Sequence, residues 1–135
     1  MTSLILIRGL PGSGKSTFAM EFAHECTRLE ADMYFMDHLG VYDWRPTGVK
    51  DAHEWCIETT RNLIYSGQSV VVSNTFTRLK EMTSYLLHAK LIGIDVAVYR
   101  MTGNYGSIHN VPEDVIKKMT DRFEDYPGEV LVGDK

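Results

Sequence analysis

Residues 4–17, LILIRGLPGSGKST, constrain this chain more than any other stretch. An apolar run over residues 4–7 breaks at Gly9 and passes through Pro11, Gly12, Ser13 and Gly14 to Lys15, Ser16 and Thr17, where a helical pattern opens. The order strand, glycine-rich turn, helix matches the phosphate-loop spacing Gly-x-x-x-x-Gly-Lys-Ser/Thr over residues 9–16. Backbone N–H groups that turn inward around an anionic phosphate follow a tight path, and side chains at Gly9, Gly12 and Gly14 would strain or block it. A helix starting near Lys15 aims unpaired amides and its positive dipole end at the same phosphates. Lys15 can bridge the outer two, and the Ser16 hydroxyl is the candidate Mg2+ ligand. Gly9, Pro11, Gly12, Ser13, Gly14, Lys15, Ser16 and Thr17 therefore predict a triphosphate site, with ATP and Mg2+ as cofactors.

A chain of 135 residues, 44% hydrophobic and 24% charged, is expected to form one domain around one hydrophobic core. No apolar run approaches the roughly 20 residues needed to span a membrane, and the first strand pattern starts almost at once, so a cytoplasmic protein without a membrane partner is expected. The net charge of −4 argues against coating long nucleic acid by charge alone, but leaves a short strand end or a small molecule open. Cys26 and Cys56 fall at apolar positions of helical patterns and read as core thiols rather than as a functional pair.

Strand and helix signals alternate along the chain. Phe18, Ala19, Phe22, Ala23 and Cys26 predict a helix of about three turns. A brief parallel strand over residues 29–31 would deliver Asp32 to the sheet edge where ligands of open parallel sheets bind. Residues 36–50 carry no steady period and read as an irregular loop; its Tyr42, Trp44 and Arg45 can stack a base or anchor the loop. A helix is expected over residues 51–66, ended by Gly67, then a buried central strand over 69–73 beside the first strand. Asn74, Thr75, Phe76, Thr77 and Arg78 follow at the functional edge, then a helix from Leu79 to about Leu91 and a strand over 94–99. Residues 101–110 read as a loop. Pro112 opens a helix expected to reach about Tyr126, and residues 129–132 form an edge strand or a tail. This alternation predicts an α/β, three-layer P-loop kinase fold with a central parallel sheet of four or five strands.

GLPGSGKST, the acidic residue of LEADMYF, the strand end VVVSNTFTR and the late IHNVPEDVIKKM together resemble the small P-loop kinases related to phage polynucleotide kinase. They are closer still to compact phage-type ATP-binding proteins of the same AAA-like kinase family. The resemblance covers nearly the whole chain and implies a kinase domain alone, since no aspartate-x-aspartate-x-threonine phosphatase signature is present. It implies that Asp32 accepts the proton of a 5′-hydroxyl, in keeping with the chemistry of phosphoryl transfer; the alternative is that Asp32 caps the next segment. Asn74 and Thr75 are implied to hold the acceptor, with Ser73 and Asn74 where the family often carries an aspartate. Val111 and Pro112 match an apolar element that contacts the acceptor nucleotide, and equally suit a helix start.

Two departures stand out. Phe35 replaces an arginine that follows the catalytic aspartate, and Gly103, Asn104, Tyr105 and Gly106 replace an arginine-bearing lid. Arg78 and Arg100 are the nearest substitutes, with Arg78 the candidate catalytic arginine beside Lys15 and Asp32. His109 is a further candidate for closing over the nucleotide. The leading expectation is an ATP-dependent kinase acting on a 5′-hydroxyl of DNA or RNA. A small-molecule kinase and a non-enzymatic nucleotide switch are the alternatives, and nothing in the sequence sets the oligomeric state.

Overall fold

The structure is a computed structural model that describes residues 2–36, 48–105 and 111–133. Five strands, β1 (Ser3–Gly9), β2 (Thr27–Leu29), β3 (Val70–Ser73), β4 (Asp95–Met101) and β5 (Val130–Val132), form one sheet in the order β2-β3-β1-β4-β5. All four pairings are parallel. The helices are α1 (Lys15–Ala19), α2 (Val49–Tyr65), α3 (Thr83–Ile92) and α4 (Glu113–Arg122).

The unbroken apolar runs of β1 and β3 are explained by burial on both faces. Leu4, Leu6, Val70 and Val72 point into a core shared with Ala52, Cys56 and Ile64 of α2 and Tyr85 and Ala89 of α3. Ile5, Ile7 and Val71 point the other way, against Ala19 of α1, with Phe18 and Phe22 packed alongside. The result is the three-layer α/β arrangement that the alternating pattern predicts, with β3 beside β1 as expected.

Three boundaries differ from the periodicity. The first helix stops at Ala19 and tightens into a 3-10 turn over Met20–Phe22 instead of running to Cys26. There the chain must turn back to start β2 at Thr27, whose N–H bonds to Ser69 O at 2.9 Å, while Phe18 and Phe22 still pack edge-on. The helix after β3 begins as a 3-10 turn at Leu79–Glu81 and becomes α-helical only at Thr83. The last helix ends at Arg122, not near Tyr126, because Phe123 turns to extended backbone and lays its ring under two guanidinium groups. Residues 130–132 are an edge strand, paired with β4 through Tyr99↔Val130 and Met101↔Val132.

Those two guanidinium groups belong to Arg8 and Arg100, register partners on neighbouring strands. Arg8 is fully buried. Its Nε and Nη2 donate to Phe76 O at 3.0 and 2.6 Å, and its Nη1 pairs with Glu129 Oε1 at 2.9 Å. Arg100 pairs with Asp125 and, at 3.3 Å, with the second oxygen of Glu129. Glu129 thus bridges both arginines, with Asp125 supplying the second negative charge, and Phe123 lies 4.5 Å from one guanidinium and 4.4 Å from the other. The same knot secures Phe76, a non-glycine residue held at φ 44°, in the turn that leaves β3.

Candidate active site

The phosphate loop leaves β1 at Gly9, on the carboxyl end of the central strand. Backbone bonds from Gly9 N to Thr75 O at 3.2 Å and from Asn74 N to Ile7 O at 3.1 Å carry the β1–β3 pairing past Ser73, so Asn74 and Thr75 flank the mouth of the loop. A Cβ added to Gly9 would lie 2.5 Å from Ser13 Oγ and 3.0 Å from Met101 O. Gly14 adopts φ 95°, and a Cβ there would lie 3.0 Å from the ring of Tyr105. Both glycines are therefore required by the path itself. Tyr105 also donates its backbone N–H to Gly12 O at 2.7 Å, which lays the segment after β4 across the loop.

Lys15 donates to Leu10 O at 2.9 Å. Burial pulls its pKa down to about 8, against the opposing pull of the carboxylates of Glu30 and Asp32. Lys15 and Asp32, 17 positions apart in the chain, are thus brought into one electrostatic neighbourhood. Asp32 is exposed, in the first turn of a 3-10 helix over Ala31–Phe35 that follows β2. That turn is pinned from below. Asn74 Oδ1 accepts the Ala31 N–H at 2.9 Å, and Asn74 Nδ2 lies 3.8 Å from Cys56 Sγ, whose thiol is pushed up in pKa by burial. Asn74, expected to face the acceptor, has its amide in the wall that positions Asp32. Cys56 is a core thiol, and Cys26 packs at the edge of the second core.

Ser16 donates from Oγ to Glu30 Oε1 at 2.7 Å. The other oxygen of Glu30 lies 3.3 Å from Arg28 Nη1. Sequence reasoning passed over Glu30, whose signal was a second carboxylate two residues before Asp32, and named Tyr105 only as part of a lid without arginine.

Arg78 is exposed at the start of the turn after Thr77, at the carboxyl end of the sheet, with its N–H on Glu81 Oε2 at 3.0 Å. Arg100 does not substitute for a lid arginine: it shares the sheet face of Arg8, opposite α1, and is held by Asp125, Glu129 and Phe123. Val111 and Pro112 lead into α4, with Pro112 as its N-cap, and the Pro112 carbonyl accepts from Val115 and Ile116 at 3.1 Å each. Tyr42, Trp44, Arg45, Gly106 and His109 lie outside the described residues. A shallow depression lined by Ala23, His24, Cys26, Thr27, Gln68 and Ser69 opens at the amino ends of β2 and β3, away from this chemistry.

The residues present fit a triphosphate and its metal. The Ser13 and Ser73 hydroxyls are buried with no hydrogen-bond partner among the described residues, one inside the loop and one at the end of β3. Buried hydroxyls are rarely left so unless a bound group completes them. The loop has room for no side chain at Gly9, a cation at Lys15 and a hydroxyl at Ser16.

The model of an AAA domain family matches residues 4–102, from β1 through the end of β4. The chain belongs to this AAA domain family. Among its relatives is an uncharacterized protein of Pasteurella multocida (strain Pm70), 29% identical over an alignment that covers 94% of this chain and 79% of that one. Among solved structures, a putative kinase from Chloroflexus aurantiacus j-10-fl superposes with a TM-score of 0.70 at 16% identity, covering 98% of this chain and 88% of that one. A chain of the Pnkp1/Rnl/Hen1 complex superposes with a TM-score of 0.58 at 20% identity over 87% of this chain, which spans only 38% of its length. The family member described here thus has the three-layer α/β fold of the P-loop kinases. No helix among its described residues is long and apolar enough to cross a membrane.

Proposed function

We propose that this protein is an ATP-dependent phosphotransferase that moves the γ-phosphate of ATP to a hydroxyl, with the 5′-hydroxyl of DNA or RNA as its acceptor. The observation that carries this reading is the phosphate loop at the carboxyl end of β1, lined by the Ser13 hydroxyl, buried and unpartnered among the described residues, and by Lys15, on which the Asp32 carboxylate acts electrostatically.

In this reading Gly9, Pro11, Gly12, Ser13, Gly14 and Thr17 cradle the phosphates, and Lys15 supplies positive charge over the outer two. Ser16 would hold Mg2+, which neutralises charge on the transferring phosphoryl group when bound. Asp32 orients the acceptor hydroxyl and takes its proton as the new oxygen–phosphorus bond forms and the bond from the γ-phosphorus to its bridging oxygen breaks, releasing ADP. Arg78, exposed at the same sheet edge, is the arginine available to the developing charge. Thr75, Val111 and Pro112 supply acceptor contacts, while Asn74 acts on the acceptor side through its hold on Ala31. The polynucleotide acceptor is supported by the order of motifs along the chain.

ATP labelled on its γ-phosphate, offered with oligonucleotides bearing free 5′-hydroxyls, with nucleosides and sugars, and with no acceptor, tests this. Label on the oligonucleotide is the expected result. Label on a small molecule keeps the chemistry and replaces the acceptor, and ATP binding without transfer makes the protein a nucleotide switch.

A further inference from the structure

We infer that Glu30 is the acidic support of the metal ion that accompanies the triphosphate. The end of β3 carries Ser73 and Asn74 and offers that ion no carboxylate. This inference rests on reading the phosphate loop as a triphosphate site and assigns a further residue to it.

Glu30 Oε1 lies 2.7 Å from Ser16 Oγ, the hydroxyl that faces the ion in this reading, so a cation held by Ser16 has a carboxylate oxygen in its immediate surroundings. The carboxylate is held in place rather than carried on a loose side chain. Arg28 Nη1 engages Oε2 at 3.3 Å, and the backbone one residue later is fixed by the bond from Ala31 N to Asn74 Oδ1. The Glu30 side chain is only 22% exposed, which weakens solvent screening around it. A partly desolvated carboxylate against the serine of a phosphate loop repels a bare triphosphate and becomes favourable only when a cation stands between the two.

Magnesium suits such a place, because it retains water ligands and is commonly bound through one or two carboxylates together with substrate phosphates. Glu30 then accepts hydrogen bonds from the metal's water, as carboxylates around a metal site do. The unpartnered Ser73 Oγ belongs to the same set: strand alternation puts it on the α1 side with Val71 and Ile7, buried at the carboxyl end of β3. A neutral hydroxyl there can meet a metal-bound water but cannot balance its charge. Glu30 supplies that charge from the position just after β2.

Glu30→Gln separates this role from a structural one. It keeps the size of the side chain and an oxygen that can accept from Ser16, and removes only the negative charge. ATP affinity of the native protein and of the variant is measured by calorimetry with excess chelator and again with saturating Mg2+. Mn2+ binding to each ATP complex is followed by electron paramagnetic resonance. With chelator, the variant is expected to bind ATP as well as the native protein or more tightly. The gain in affinity that Mg2+ confers should be at least about tenfold smaller, and Mn2+ affinity should fall by about tenfold or more. Glu30→Asp, which keeps the charge, should recover part of the gain and serves as the readout if Glu30→Gln does not fold. An unchanged metal-dependent gain, within about twofold, in a folded Glu30→Gln protein that binds ATP overturns the role of Glu30 and leaves the nucleotide site standing. Failure of the native protein to bind ATP under either condition overturns both.

Discussion

The phosphate loop and the Arg8 knot begin one residue apart in the chain, at Gly9 and Arg8, and are built on opposite principles. The loop is assembled from contiguous residues whose geometry is set by glycine backbone at Gly9 and Gly14. The knot is assembled from residues far apart: Arg8 meets Glu129 across 121 positions, and Phe76 O and Phe123 complete its surroundings. The loop encloses Ser13 but leaves Ser16 and Thr17 exposed, with the Ser13 hydroxyl still unpaired among the described residues. The knot is closed because a fully buried guanidinium must find its compensating charge inside the protein. Binding chemistry can thus be changed at the loop without loss of fold, whereas the knot governs stability and reaches the site only through the β3 turn it anchors.

The sharpest test of this division is Asp32→Asn, which removes the proton acceptor and leaves the loop and the knot in place. Transfer to the best acceptor should fall by roughly 10² to 10⁴, with ATP affinity and melting temperature unchanged. A folded, ATP-binding variant within about threefold of the native rate would remove Asp32 from the chemistry.

Glu129→Gln probes the other side. It leaves the register partners Arg8 and Arg100 without their shared negative charge, and breaking a buried pair in this way costs about 3–5 kcal/mol. Urea denaturation should show that loss, while protein still folded at low temperature binds ATP normally. A folded variant that has lost ATP binding would merge the knot with the site. Replacing Arg8 and Glu129 together by methionine should restore much of the stability, since no uncompensated charge then remains between them.

A smaller effect follows from Lys15, whose pKa of about 8 lies below the usual lysine value. If ATP binds the protonated lysine, its affinity should decline by about tenfold per pH unit above about 8, until the pH passes the higher pKa that Lys15 takes in the complex. The ligand-free stability has the opposite sign. Between about pH 8 and the unfolded-chain value near 10.5, the unfolded state holds a proton that the folded state has released, so stability rises with pH across that window. Lys15→Met should abolish both slopes. Native ATP affinity that stays flat from pH 7 to 9.5 would show that the loop binds phosphate through its backbone without help from this charge.

The phosphate loop, the doubly buried β1 and β3 and the order of strands and helices were legible in the sequence. Each is written locally: in spacing, in glycines at required positions, or in runs of apolar and β-branched residues that only a strand covered on both faces tolerates. Asp32 could be placed near the sheet edge for the same reason, although β2 ends at Leu29, three positions before it, and not at Ala31 as the pattern suggested. Only the tertiary structure decided what lies across from these residues. It set Glu30 against Ser16, turned the Asn74 amide beneath Asp32 through Ala31, and laid Tyr105 over Gly12 and Gly14. It also withdrew Arg100 from the site into the pair it makes with Asp125 and Glu129, and ended the last helix at Arg122 so that Phe123 could pack beneath both arginines. Propensity and periodicity report on a residue and its neighbours within a turn or two. A charge, by contrast, is placed by whichever opposite charge or polar group the folded chain brings within a few ångströms, and that depends on strand order and register, which no local pattern encodes.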